Sequence, residues 1–581
     1  MAFSHVLSVL VSLFLWGDRV QPHCRCLYGQ DCWPSKNAFA SLSIQLTRPL
    51  LYPQPPASRC YVEAQPLLQK SAFGTDNCSD IIHQYTNGTW RADEPGAMQN
   101  TNFETFLLSN GTIEACYLDV TLGSPCLQGS IPPVGVDART VTDIQAAINF
   151  AKRSNLRLVV KNTGHDYLGR SAGRGGFMVW THNLKDKTFN SSFIPDGAPS
   201  SERVTYDAVT FGSGVQWHEA YTFVHQHGRS IVGGISLGGS VGSAGGWIMG
   251  GGHSALSPSL GLGVDNVLQF TIVLANGTYI TANAYQHSNL FWALRGGGGG
   301  TYGIVVSVTY QTHPSSPLTM SLMVANFTSP LVAQRVATEF VKLHAMVSDA
   351  GWGGYTSVSN TNFQMLFVKP NISSVEDANL KFRRFIEFAR NATEGQVQNV
   401  YRTYSTFLDW YDAIFTSQVG QVGSQVEITS RLLPRDLAVH DPAKAAKLML
   451  SVNGGVITNS VAGGAVSHID PSSTGLNPSW RRAIAEVYSI ESWPEGSSED
   501  TIIRARNRLK SKTDILDKLT TDSGAYLNEA SLHERDFKKS FFGSHYARLK
   551  DIKEIYDPTS LFVVASGIGS DDWDGALECR L

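Results

Sequence analysis

The chain has 581 residues, 42% hydrophobic and 16% charged, with a formal net charge of −3. That length permits a large core and more than one folding unit. The composition excludes a disordered chain, and the near-neutral charge offers neither a basic face for nucleic acid nor an acidic tail for a basic partner.

Residues Val6 to Trp16 form one apolar run, followed by Asp18 and Arg19. The run is shorter than the roughly 20 residues that cross a bilayer. It has the length of a signal-peptide h-region, although its n-region has only His5. Residues 1–22 are therefore expected to be a signal peptide cleaved near Gly17 to Pro22, with a buried N-terminal helix as the competing reading. No later apolar segment has the length of a membrane span.

Residues 23–125 read as a Cys-, Pro- and turn-rich N-terminal extension. Cys24, Cys26, Cys32, Cys60, Cys78, Cys116 and Cys126 lie in the first 126 residues, and Cys579 is the eighth. An even number behind a secretory signal predicts disulfides in an oxidising compartment, with connectivity left open. A zinc cluster is the alternative, weakened by the lack of a CxxC pair. Glycosylation sequons at Asn77, Asn87, Asn110, Asn190, Asn276, Asn326, Asn371 and Asn391 agree with export.

Residues 126–314 alternate helix and strand patterns. Thr140-Val-Thr-Asp143 can form a capping box before the helical spacing of Ile144, Ala147, Ile148 and Ala151. The strand Leu156–Val160 runs into Lys161-Asn-Thr-Gly-His-Asp-Tyr-Leu-Gly-Arg-Ser171, a glycine turn of the kind that presents amides to an anion. From Gly233 to His253 there are ten glycines in 21 residues. Interleaved Val, Ile, Leu, Trp and Met argue against a linker and for backbone packed closely on something flat. Asp265 to Ala275 reads as a strand turning at Asn276-Gly277 into Tyr279–Thr281. Gly296 to Gly300 leads into a buried strand from Gly303 to Thr309. No GxGxxG joins strand to helix, which argues against a nicotinamide Rossmann site.

Residues 315–519 read as mixed strands and amphipathic helices. In Val375–Arg390 the apolar positions include Leu380, Phe382, Ile386 and Phe388. Residues 520–581 form a tail rich in aromatics and charge.

The 161–171 loop resembles the flavin-attachment loop of the berberine bridge enzyme-like oxidases, within the p-cresol methylhydroxylase and vanillyl-alcohol oxidase superfamily. Gly250-Gly-Gly-His-Ser254 with Gly261-Leu-Gly-Val-Asp265 is similar to that family's second flavin segment. Phe542-Gly-Ser-His-Tyr546, Arg548-Leu549 and Tyr556-Asp-Pro558 resemble its C-terminal signature. Cys24-Arg-Cys26 with Cys32-Trp-Pro34 resembles the start of its fungal members.

The resemblance implies an α+β fold, with a two-subdomain FAD-binding domain of p-cresol methylhydroxylase type at 126–314. A substrate domain at 315–519 would have an antiparallel sheet backed by helices. A tail at 520–581 would return to the FAD domain. It implies FAD attached covalently through His165 alone. The second flavin-linking cysteine of many members is absent, with Gly238 or a neighbour in its place and no cysteine between Cys126 and Cys579. Asn162, Thr163, Gly164, Asp166 and Ser171 would hold the cofactor from the first loop. Gly242, Gly245, Gly246, Gly250, Gly251, Gly252 and His253 would lie against it from the second segment, and Gly303 and Val305 from the strand beyond. Backbone amides of 162–166 would take the pyrophosphate.

The activity implied is hydride transfer from a small alcohol, sugar, amine or secondary metabolite to flavin, with oxygen as acceptor and hydrogen peroxide as product. A flavin dehydrogenase, an oxidative cyclase and a non-catalytic flavin-binding protein are the rivals. The resemblance places Tyr526 and Asn528 at the catalytic centre. In an extended strand these two share a face and Glu529 points away. A phenol acting as base needs a nearby cation or the flavin, with Arg431 or His545 as candidates. No metal is expected.

Overall fold

A computed structural model describes residues 24–61, 77–202, 204–415, 422–519 and 522–581, so the expected signal segment lies outside the described residues. Three sheets organise the chain. Parallel strands Val134–Asp137, Phe177–Trp180 and Leu158–Lys161 form the first, with Phe177–Trp180 in the middle. An antiparallel sheet of five follows, in the order Tyr279–Asn283, Val267–Leu274, Gly303–Gln311, Tyr206–Gly212 and Lys187–Phe193. The third has seven antiparallel strands, ordered Val397–Tyr404, Leu318–Asn326, Asn362–Pro370, Gly353–Val358, Val456–Ser460, Ala483–Trp493 and Gln425–Pro434. The architecture is the expected α+β arrangement.

Local chemistry accounts for the element boundaries. Thr140 caps the helix Val141–Arg153 with the expected capping box, its hydroxyl accepting from the Asp143 amide. The Asn276-Gly277 turn closes the hairpin between Val267–Leu274 and Tyr279–Asn283, with Gly277 at φ +84°. The helix Val375–Ala392 buries Ala378, Phe382, Phe385, Ile386 and Ala389. Leu380, expected on that apolar face, is 61% exposed, because helical spacing from Phe382 selects 378, 385, 386 and 389.

The seven-stranded sheet uses its two faces differently. Val358, Val456, Ala485 and Val487 pack with Phe340, Phe382 and Phe385 of the backing helices Pro330–Asp349 and Val375–Ala392. The alternate residues Tyr355, Asn459 and Glu486 lie opposite one another across three strands, on the other face. All eight cysteines are paired, as Cys24–Cys579, Cys26–Cys32, Cys60–Cys78 and Cys116–Cys126, so the zinc alternative is set aside.

Asp265, at the end of the Gly261–Asp265 motif, ties two parts of the chain together. It accepts both Arg481 amino groups, at 2.7 and 2.8 Å, and the Leu262 amide. Both partners are almost fully buried. Removing one leaves a buried charge uncompensated. Asp265→Ala is therefore expected to lower stability by about 3–5 kcal/mol, measured by chemical denaturation, while an exposed-pair control at Lys342 changes it by less than about 1 kcal/mol.

Candidate functional site

Two connected chambers lie where the glycine-rich segments, the seven-stranded sheet and the C-terminal tail converge. The larger has a volume of about 480 Å³, in the range of ligand pockets. The smaller, about 70 Å³, continues from it past Asn162, Asp166, Arg170, Ser171 and Gly246, which line both.

The first wall is the 161–171 loop. Gly164 turns at φ +80°, a conformation that favours glycine, against the backbone of Ala97 and Met98. Asn162, Thr163, Gly164, His165, Asp166 and Ser171 all line the larger chamber. The Asp166 amide is bonded to the Gly164 carbonyl at 3.0 Å, so the loop does not present every amide of 162–166 to a ligand. His165 Nε2 lies 2.7 Å from Ser240 Oγ, and burial pushes its imidazole down to about 3. The ring is therefore neutral at ordinary pH.

Arg170, next to the expected site residues, proves central. Its Nε donates to Asp166 at 2.8 Å and one amino group donates to Asn528 Oδ1 at 3.1 Å. The other amino group is buried with no partner among the described residues.

The second wall is the Gly233–His253 segment. Its flat neighbours are indoles of this chain. A Cβ at Gly233 would meet the Trp217 ring at 2.4 Å, and one at Gly252 the Trp247 ring at 2.6 Å. These two indoles pack edge to face. Gly242 and Gly245 lie against Asn162, and Gly250 lies under Asn528. Gly242, Gly246 and His253 reach the larger chamber; Gly245, Gly246, Gly303 and Val305 line the smaller. Gly250, Gly251 and Gly252 line neither chamber. Gly246 differs from the rest, because a Cβ there would meet no atom within 4 Å.

The tail forms the third wall. Leu527–Glu529 is a 3₁₀ turn, not the expected extended strand. That turn brings Glu529 to the same chamber as Tyr526 and Asn528 instead of pointing it away. The pairing of Tyr526 with Asn528 is present, with Asn528 Nδ2 donating to the phenol oxygen at 2.9 Å. Asn528 also donates to the Gly246 and Trp247 carbonyls. Neither proposed cation serves Tyr526. Arg431 is engaged by Asp517 and Glu534, and His545 packs on Trp292. Burial, then the nearby Glu529 charge, push the Tyr526 phenol well above 10. The sheet face completes the chamber with Tyr355, Ile457, Asn459 and Tyr488, and the N-terminal extension adds Gln99 and Asn100. No local pattern announced these residues, since only the fold brings them together.

The donor set suits a dinucleotide. Unpaired buried groups at the joint (the Arg170 amino group and Asn162 Oδ1) and in the smaller chamber (Ser213 Oγ) call for polar partners. Open space at Gly246 leaves room for one.

Residues 132–283 match the FAD binding domain family, and 525–569 the family described as berberine and berberine like. An FAD-linked oxidoreductase of Arthroderma benhamiae is 33% identical over 595 residues, covering 96% of each chain. A VAO-type flavoprotein oxidase of Thermothelomyces thermophilus is 32% identical, covering 96% of this chain and 95% of the relative. Among solved structures, a VAO-type flavoprotein from Myceliophthora thermophila C1 superposes with a TM-score of 0.84 at 29% identity, covering 96% of this chain and all of that one. Berberine bridge enzyme from Eschscholzia californica shares the fold, with a TM-score of 0.65 at 17% identity and coverage of 91% and 98%.

Filling the open position should block the cofactor without disturbing packing. Gly246→Leu is expected to yield folded protein by circular dichroism whose visible flavin absorbance is nearly lost. Full flavin content in that variant would contradict the placement.

Proposed function

Because the chain belongs to the FAD-linked oxidoreductases of the berberine bridge enzyme-like family, we propose that it oxidises a small organic substrate through an FAD bonded to His165, with oxygen as acceptor. The observation that carries this reading is the two-chambered cavity. It sets His165 on one wall and Tyr526, Asn528 and Glu529 on another. When bound, FAD supplies the hydride acceptor and, with oxygen, the route to hydrogen peroxide.

The chain's own residues bind and orient. The smaller chamber, with Gly245, Gly246, Gly303 and Val305, would hold part of the cofactor. Arg170 would offer its unpartnered amino group to a polar atom of the cofactor. His165 keeps Nε2 on Ser240, so Nδ1 would be the ring nitrogen available to hold the flavin. The cysteines support a single link, since all eight are in disulfides. Asn528 holds the Tyr526 oxygen, and the phenol, kept protonated by its surroundings, donates to substrate. The aromatic lining of Tyr355, Phe415 and Tyr488 excludes water.

Export is part of the same reading. Four disulfides suit an oxidising compartment, and seven of the eight sequon asparagines are exposed. Asn87 is the half-buried exception, and its amide donates to Gln84. The mature protein is expected to lack the first 22 residues or so and to carry glycans at exposed sequons but not at Asn87, as read by glycopeptide mass mapping.

A panel of alcohols, sugars and amines tests the activity. Anaerobic substrate is expected to bleach the flavin, and air to restore it with one peroxide per turnover. Bleaching without peroxide would make the protein a dehydrogenase or cyclase; no bleaching with any substrate favours the non-catalytic alternative. Tyr526→Phe is expected to keep full flavin content and lose about tenfold in kcat/KM, the value of one hydrogen bond. An unchanged kcat/KM would remove Tyr526 from the catalytic centre.

A further inference from the structure

Behind the tail's 3₁₀ turn, two carboxyl groups meet with little else to neutralise them. Glu529 lines the larger chamber. Its Oε1 accepts from His253 Nε2 at 2.9 Å, and its Oε2 from Asn459 Nδ2 at 3.2 Å. Glu486 lies deeper, with 0% exposure, and its Oε2 accepts from the same Asn459 Nδ2 at 3.0 Å. It is 3.8 Å from His253 Nε2. One amide nitrogen thus bridges the buried Glu486 carboxyl and the half-buried Glu529 carboxyl.

The surroundings supply little positive charge. From the glycine segment comes His253; from the sheet come Tyr355, Tyr488 and Ser430; from the loop, Tyr167; from the tail, Tyr526. Arg170, the one guanidinium on the described lining, is held by Asp166 and Asn528. The two carboxyls approach within 4.8 Å, and at that range a like charge disfavours ionisation of both, most strongly at the fully buried Glu486. Burial, then the Glu529 charge, accordingly push the Glu486 carboxyl well above the usual carboxylate range.

We propose that Glu486 and Glu529 share one proton, with Glu529 the catalytic base for a neutral alcohol and Glu486 the positioning residue that keeps the proton behind it. This deepens the flavin reading and rests on it. The substrate C–H hydrogen leaves with its bonding pair to the flavin. The O–H bond breaks, its proton goes to a Glu529 oxygen, and its electron pair becomes the second C–O bond of the carbonyl product. A pair with one net negative charge disfavours anionic substrates, and the aromatic walls suit an uncharged one. His253 and the two glutamates also approach closely enough to seat a cation, within 4.8 Å. The bridging Asn459 instead aims its N–H hydrogens at both carboxyls, which favours a shared proton.

The holoenzyme tests this in two ways. The first needs no substrate. At neutral pH the infrared difference between wild type and Glu486→Gln should contain the C=O stretch of a protonated carboxyl. Its absence, or one chelator-removable metal ion per chain, overturns the proposal. The second uses the best alcohol of the panel and anaerobic flavin reduction. Glu529→Gln, with flavin content retained, is expected to slow reduction by about 10²–10⁴-fold. Glu486→Ala removes a donor to Glu529, so the acidic limb of kcat/KM should move to higher pH; a doubly ionised pair would move it lower. Glu486→Gln, whose amide can still donate, should recover part of the loss seen in Glu486→Ala. Reduction of Glu529→Gln at the wild-type rate, or a downward shift in Glu486→Ala, overturns the assignment. If wild type holds no flavin, the flavin reading fails first, and the infrared band still judges the pair.

Discussion

Arg170 is the constraint on which the cavity depends. Its guanidinium joins the 161–171 loop, through Asp166, to the C-terminal tail, through Asn528. Asn528 passes the connection to the start of the Gly246–Met249 helix and to the Tyr526 phenol. Three segments distant in sequence are thereby held in register around one bend. The arginine suits this task because its planar fork makes several directed bonds at once, whereas a lysine would present one flexible charge. The amino group left over points to what the arrangement is for, since a buried donor without an acceptor is costly.

The glycine excess follows from the same demand for close approach. Trp217 fills the space behind the second wall and Trp247, within the wall, also lines the larger chamber; their rings sit where side chains of Gly233 and Gly252 would otherwise be. The wall is therefore stiffened from behind while Gly246 stays open in front. On the opposite side, the seven-stranded sheet buries an apolar face on its helices and presents Tyr355, Asn459 and Glu486 inward. Strand alternation with a period of two produces this division, and a shift of register by one residue would exchange the two faces.

What could be read in the sequence was what local chemistry controls. The capping box at Thr140, the hairpin turn at Asn276 and the 161–171 loop depend on residues a few positions apart. The α+β class and the flavin resemblance rested on motifs of that kind. Leu380 was misplaced because an apolar residue at roughly helical spacing need not face the core. Tyr526, Asn528 and Glu529 were read as a strand, yet a single 3₁₀ turn regroups them, and three residues carry too little periodicity to distinguish the two. The flat partner of the glycine segment could not be identified, because Trp217 lies outside it. Cysteine pairing, the role of Arg170 and the Asn459-bridged carboxyls all depend on contacts between distant segments.

The central claim is that His165 carries the flavin in this cavity. Cleavage of the denatured protein after Lys161 and Arg170 releases a peptide of residues 162–170 with His165 as its one histidine. This peptide is expected to carry the mass of one FAD and flavin fluorescence, with no other peptide so modified. An unmodified 162–170 peptide beside flavin on a different residue, or flavin released free from the denatured protein, would contradict it.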